Sequence, residues 1–454
     1  MSAEVIGEGA GTAKGAGRAE RRGARRAPAH VGLAIAAALT YACAEPPPEP
    51  TAAPEPAVRP GISVLLDDSI HLVAGKKIGL ITNQAGLDED SVSTIDLLTS
   101  DPRATAAGVQ VAALFAPEHG IRGTEDRDDL PDEVDAKTGL TIHSLYGNGT
   151  RAPPDSLLRG LDALVVDLQD IGTRVWTYTG LMLYSLRAGA RNGLPVLVLD
   201  RPNPINGVKV EGPILDSLLA DVNDPPEGGR GKAHAHYPVP LRFGMTMGEL
   251  ARLYNDRSTL GADLHVVPVA GWRRDMWWEE TGLPWVKPSP NLPSLLSVFL
   301  FPATVHFEAL NTSVGRGTPE AFQQIGAPWM DNAAVADLLN ARGMPGVRFE
   351  AVRFTPVEPT DEKYPGVDLP GVRIVVTDRN SAEPSRIAAA LLWALARTTP
   401  DSLVFRVPRY DEHFGAARLR EALVAGADPD SLMAAEQPAV EAWRANVEKY
   451  LIYK

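Results

Sequence analysis

The sequence predicts an α/β protein: a Rossmann-like parallel sheet domain followed by a second, smaller α/β domain. Two observations carry this. Four short, uniformly apolar runs alternate with segments of helical spacing between residues 77 and 200, and strands apolar along their whole length belong in sheets covered on both faces. Each run also ends in polar residues: Thr82, Asn83 and Gln84; Glu118 and His119; Asp167 and Asp170; Asp200, Arg201 and Asn203. Ligands of open α/β sheets bind beyond the carboxyl ends of the strands, so four such clusters on one edge predict a cleft.

Residues 1–60 precede that fold. Arg18, Arg21, Arg22, Arg25 and Arg26 lie among Gly and Ala, and residues 31–42 form a largely apolar run. Such a run is short for a membrane span and right for a signal-peptide core. Cys43, the only cysteine, comes directly after it, where a lipoprotein signal places its lipidated residue, although Tyr41 fits the preceding motif poorly. The expectation is export, to the periplasm or to a membrane-anchored state tethered through Cys43. Residues 44–60 hold seven prolines and read as an extended linker.

The first strand is Lys77-Ile78-Gly79-Leu80-Ile81-Thr82-Asn83, with a helix at 93–98 behind it. The second covers 109–115, the third is Leu161-Asp162-Ala163-Leu164-Val165-Val166-Asp167, and the fourth is Pro195-Val196-Leu197-Val198-Leu199-Asp200. Helical spacing runs over 178–191 between the last two. The expected boundaries are 61–294 for the catalytic domain and 295–454 for the smaller one. In the latter, Val372-Arg373-Ile374-Val375-Val376-Thr377-Asp378 reads as a strand and 385–397 as an amphipathic helix; further helices fall near 417–424 and 437–451.

Charge and motifs exclude several functions. The chain carries −13, and residues 1–42 hold six Lys/Arg against three Asp/Glu, so the remainder carries −16. Nucleic acid and anionic lipid are poor partners for such a surface. Neither Gly-x-Gly-x-x-Gly nor a Walker-type loop follows any strand, so no nucleotide cofactor is expected.

The second strand ends in Pro117-Glu118-His119-Gly120, which places a carboxyl and an imidazole where proton transfer is done. Glu118 with Asp167 or Asp170 offers the carboxylate pair of a glycosidase, and Arg174 follows close enough to Asp170 to hold it ionised. His234-Ala235-His236 can be read as a metal pair with Glu118 or His119 as third ligand, but no second ligand cluster stands out and no metal is predicted. The 308–318 segment, Glu308-Ala309-Leu310-Asn311-Thr312-Ser313-Val314-Gly315-Arg316-Gly317-Thr318, suits sugar hydroxyls or a lactyl carboxylate, for which Arg316 offers a fork. Trp272, Trp277, Trp278, Trp285 and Trp329 receive no role, since tryptophans more often build cores and groove walls.

The chain resembles the NamZ-type exo-β-N-acetylmuramidases. The matching segments include Ile78-Gly79-Leu80-Ile81-Thr82-Asn83-Gln84, Leu114-Phe115-Ala116-Pro117-Glu118-His119-Gly120-Ile121-Arg122-Gly123 and Asp167-Leu168-Gln169-Asp170-Ile171-Gly172-Thr173-Arg174. Leu199-Asp200-Arg201-Pro202-Asn203-Pro204-Ile205-Asn206-Gly207, Gly244-Met245-Thr246-Met247-Gly248-Glu249-Leu250 and the 308–318 segment follow in order. The resemblance implies release of N-acetylmuramic acid from the non-reducing end of peptidoglycan fragments. It implies Glu118 as catalytic acid with His119 and Asp170 beside it. It further implies that Asn83, Arg174, Tyr178, Asn206, Glu308, Asn311 and Arg316 bind the saccharide. One departure is Phe243, where the resemblance leads one to expect His. Two other readings stay open: a non-catalytic muropeptide-binding envelope protein, and a zinc-dependent amidase or esterase using His119, His234 and His236.

Overall fold

The strands, in chain order, are β1 (Lys77–Thr82), β2 (Gln110–Ala116), β3 (Glu133–Val134), β4 (Thr141–Ser144), β5 (Ala163–Asp167) and β6 (Val196–Leu199). They continue with β7 (Glu211–Ile214), β8 (Pro240–Arg242), β9 (Leu264–Val267), β10 (Gln324–Gly326), β11 (Val347–Phe354) and β12 (Leu369–Val376). The computed structural model describes residues 58–121, 131–146, 151–221 and 231–454. The apolar run at 31–42, Cys43, most of the proline-rich segment, and Arg122 and Gly123 of the second motif lie outside them.

The four apolar runs become β1, β2, β5 and β6 of a seven-stranded sheet ordered β3-β4-β2-β1-β5-β6-β9. All neighbours run parallel except β3 against β4. Every residue of β5 and β6 is buried. Their alternation splits two cores: Leu164, Val166, Val196 and Val198 pack on one face, and Ala163, Val165, Leu197 and Leu199 on the other.

Without the short edge strand β3, the order is that of a dinucleotide-binding sheet, whose switch point lies between β1 and β5. Here side chains fill that crevice. Asp167, at the end of β5 and opposite Thr82, is fully buried. It accepts from Thr94 and from Arg201 Nη2, the latter at 2.9 Å. A side chain on Gly86 would collide with Thr82 Oγ1. The open cleft therefore lies off the end of β2 instead.

The second half builds a three-stranded antiparallel sheet, β10-β12-β11, backed by helix Asn332–Asn340, on which helix Pro384–Thr398 packs in turn. Helix Leu295–Thr304 joins the halves. Its residues 297–304 are all buried, as a helix apolar on every side must be, and they belong to one core that continues into both sheets.

Candidate active site

Glu118 is presented by a tight turn at the end of β2. Gly120 N–H donates to the Pro117 carbonyl at 3.1 Å, and His119, the third residue of the turn, has φ +74°, as a type II turn requires. A histidine held there costs of order 1 kcal/mol, and such strain gathers at functional sites. The Glu118 carboxyl Oε2 accepts from Thr177 Oγ1 at 3.0 Å, at the start of helix Thr177–Asn192. Its backbone carbonyl faces the Tyr178 hydroxyl at 3.3 Å; that hydroxyl also lies 3.0 Å from the Pro288 carbonyl and accepts from Asn83 Nδ2 at 2.9 Å.

The turn opens onto a cleft of about 650 Å³ walled by Glu118, His119, Val175, Trp176, Thr177, Ser289, Asn291, Leu292, Phe301, Val305, Glu308, Arg316, Phe322, Thr360, Asp361, Arg406, Arg409 and His413. That volume suits a saccharide, and its lining sets apolar side chains beside charged ones, with Arg316 over the Phe322 ring. Glu308 and Arg316 form an ion pair in which Nε and Nη2 both lie 2.7 Å from Glu308 Oε1. Arg316 Nη1 donates to Thr360 Oγ1 at 3.0 Å. Burial raises the Asp361 carboxyl above its ordinary range, against the opposing pull of Arg316 and Lys363. Trp176 Nε1, Asp361 Oδ2 and His413 Nε2 find no hydrogen-bond partner among the described residues. Buried polar atoms are rarely left so, and these are available to a ligand.

Lys363 organises the loop that carries Glu308. Its ammonium donates at 2.8 Å to each of the Glu308, Leu310 and Thr312 carbonyls, with the Phe307 carbonyl at 3.4 Å. Burial pulls it down to about 8.

Of the residues predicted for the site, Glu118, His119, Glu308 and Arg316 line the cleft together. The others stand one layer behind it, for identifiable reasons. Asp170 is buried, with one oxygen accepting from Gly172 N–H at 2.6 Å and the other unpartnered; burial pushes it up to about 7. Arg174 does not pair with Asp170. Fully buried, it donates to the Glu412 and His413 carbonyls at 2.7 and 2.9 Å, clamping the end of helix Val407–Phe414. Asn83 and Tyr178 brace the Glu118 turn. Asn206, at φ +61°, caps its own turn by accepting from Val208 N–H at 3.1 Å. Asn311 fastens its loop to Ser402 and Val404, at 2.9 Å each.

The two histidines of the metal reading are committed elsewhere. His234 Nε2 meets Glu412 at 2.8 Å, and His236 joins Ala233 O and Tyr254 at 2.7 and 2.6 Å. No cluster of potential metal ligands occurs among the described residues. Phe243 is buried in the core, away from the cleft, so that departure leaves the cleft wall unchanged.

Thr177, Asp361, Arg406 and Arg409 were not legible as site residues. Arg406-Val407-Pro408-Arg409 offered the one usable signal, two arginines a helical turn apart. Trp176, Phe301 and Phe322 supply the aromatic lining, and none of the five tryptophans weighed from the sequence is among the lining residues.

Comparison with known proteins places this geometry in a family. The family model described as exo-β-N-acetylmuramidase NamZ, N-terminal, matches residues 78–296, and its C-terminal counterpart matches 299–453. A peptidoglycan β-N-acetylmuramidase NamZ of Bacillus subtilis (strain 168) is 37% identical over 398 residues, covering 87% of this chain and 91% of the relative. A crystal structure of a DUF1343 family protein from Bacteroides fragilis superposes with a TM-score of 0.78 at 33% identity, covering 88% of this chain and all of that one. A second DUF1343 protein of that organism gives 0.66 at 27% identity, covering 87% of this chain and 99% of that one.

Proposed function

The chain belongs to the exo-β-N-acetylmuramidase NamZ family and is a glycoside hydrolase of peptidoglycan, and we propose that it releases terminal N-acetylmuramic acid with Glu118 as proton donor. The observation that supports this role is placement. The Glu118 carboxyl shares the cleft with the Glu308–Arg316 pair and the Asp361 carboxyl, so acid and stabilising charge converge on one bound sugar.

Glu118 protonates the glycosidic oxygen as its bond to the anomeric carbon breaks. Positive charge then develops on the sugar ring, and Glu308, steadied by Arg316, provides the facing negative charge. The unpartnered Asp361 Oδ2 accepts from the sugar's acetamido N–H. Water completes the reaction, giving free N-acetylmuramic acid and a glycan shortened by one residue. Export, with Cys43 as a membrane tether, brings the enzyme to a substrate of the cell envelope; on that reading Cys43→Ala moves the protein out of the membrane fraction.

The test is incubation with a disaccharide whose non-reducing sugar is N-acetylmuramic acid, with products identified by mass. Two monosaccharides are expected. Saturable binding without turnover would favour a carrier and contradict hydrolysis.

A further inference from the structure

Three arginines line the cleft, and their commitments differ. The guanidinium of Arg316 is spent on Glu308 and Thr360. Arg406 donates from Nη2 to the Glu308 carbonyl oxygen at 2.6 Å. Arg409 is exposed, and no carboxylate pairs with it among the described residues. Its partner is His234, with Nη1 3.1 Å from Nδ1 and 3.3 Å from Nε2.

His234 is itself held from behind. Its Nε2 lies 2.8 Å from Glu412 Oε2, and Glu412 Oε1 is 2.6 Å from Lys232 Nζ. An imidazole that donates to a carboxylate at Nε2 keeps a lone pair at Nδ1, so His234 accepts from Arg409 there. Arg174 fixes the far end of the same helix through the Glu412 and His413 carbonyls. Arg409 is thus oriented by a neutral neighbour and anchored on a clamped helix, lining the cleft with no carboxylate bound directly to it among the described residues.

N-acetylmuramic acid differs from N-acetylglucosamine by one ether-linked lactyl group, whose carboxylate is the sugar's only charge. We propose that Arg409, with Arg406 one helical turn before it, reads this lactyl carboxylate, and that His234 is the positioning residue that holds Arg409 for it. The inference rests on the muramidase reading and goes beyond it by naming the groups that select the sugar. A guanidinium fork suits a planar carboxylate better than an ammonium does. The fork foreseen at Arg316 is already taken by Glu308, so recognition moves to the arginines of the helix beside it.

The test compares hydrolysis of a p-nitrophenyl N-acetylmuramide with that of its lactyl carboxamide, in the wild-type enzyme and in Arg409→Gln, Arg409→Lys and His234→Leu. Wild-type kcat/KM favours the carboxylate by on the order of 100-fold, because a site built for a charged group rejects the analogue lacking it. Arg409→Gln reduces that preference below about tenfold, chiefly through KM, and Arg409→Lys leaves an intermediate value. His234→Leu weakens the preference while the carboxamide rate falls less than the carboxylate rate. A wild-type enzyme that hydrolyses both substrates equally overturns the proposal without any variant having to fold. So does a full preference retained by Arg409→Gln. Absence of hydrolysis of either substrate by the wild-type enzyme instead removes the muramidase reading, and this inference with it.

Discussion

Tyr178→Phe separates a brace from a substrate contact. The Tyr178 ring is fully buried, and its hydroxyl ties Asn83 Nδ2, 2.9 Å away, to the Pro288 carbonyl at 3.0 Å and the Glu118 carbonyl at 3.3 Å. Phenylalanine keeps the packing, including the edge contact with Trp176 at 5.1 Å, and deletes only the oxygen. The Asn83 N–H and the Pro288 carbonyl then lose a partner in a dry site, at about 1–3 kcal/mol for each group left unsatisfied. Partial relaxation brings the expected net loss to about 2 kcal/mol. An unfolding entropy of about 2 cal/mol/K per residue over roughly 400 residues is about 0.8 kcal/mol/K, so the thermal midpoint falls by about 2–3 °C. Because the lost bonds steady the Glu118 turn rather than the sugar, kcat falls about tenfold while KM stays within about twofold. Calorimetry and steady-state kinetics on the natural disaccharide measure both. A raised KM with unchanged kcat would mean that Tyr178 touches the substrate, and an unchanged midpoint would refute the bracing network.

Lys363→Met removes the donor that holds three carbonyls of the Glu308 loop. Charge-assisted bonds of this kind contribute about 1.5–3 kcal/mol each and are not additive, so a midpoint lower by about 4 °C and at least a tenfold drop in kcat/KM are expected; unchanged kinetics would contradict the scaffold role. Acid should destabilise the fold. Burial pulls His234 down to about 4 and both His236 and His306 to about 3, with His413 well below its ordinary value, so the unfolded chain binds protons that the native protein refuses once pH drops below about 6.5. Burial acts oppositely on Asp170 and Asp200, raised to about 7 and about 6, which hold protons only when folded and add stability as pH falls toward 4. Near pH 5 four uptakes outweigh two releases, a net of about two protons, so stability falls by on the order of 3 kcal/mol per pH unit. Unfolding followed in buffers of different ionisation enthalpy measures the uptake, and a midpoint that rises between pH 6 and 5 would reverse the sign.

The parallel sheet was legible because β1, β2, β5 and β6 are apolar on both faces and punctuated by polar ends. Helix Leu295–Thr304 was not, since ten residues with almost no polar face carry no 3.6-residue period. The edge strand β3 and its neighbour β4 have two and four residues, too few for alternation to show. Within the site, Glu118 and His119 stood out because a strand ends on them, and Glu308 and Arg316 because a glycine-rich loop concentrates them. Asp170 and Arg174 misled for a physical reason. Proximity in sequence suggested an ion pair, but the chain turns between them, leaving the carboxyl on a backbone N–H and sending the guanidinium to a helix more than two hundred residues later. Arg409 and Asp361 come from segments remote in sequence, and only tertiary folding brings them to Glu118.

The most direct measurement is the leaving-group dependence of Glu118→Gln. A proton donor matters when the departing oxygen is strongly basic and hardly at all when it leaves as a stable anion. With the natural disaccharide, kcat/KM should fall by about 10³-fold, within the range general acid catalysis contributes; with a 2,4-dinitrophenyl N-acetylmuramide the loss should be under about tenfold. Equal losses on both substrates, or near-parental activity on the disaccharide, would take the acid role away from Glu118.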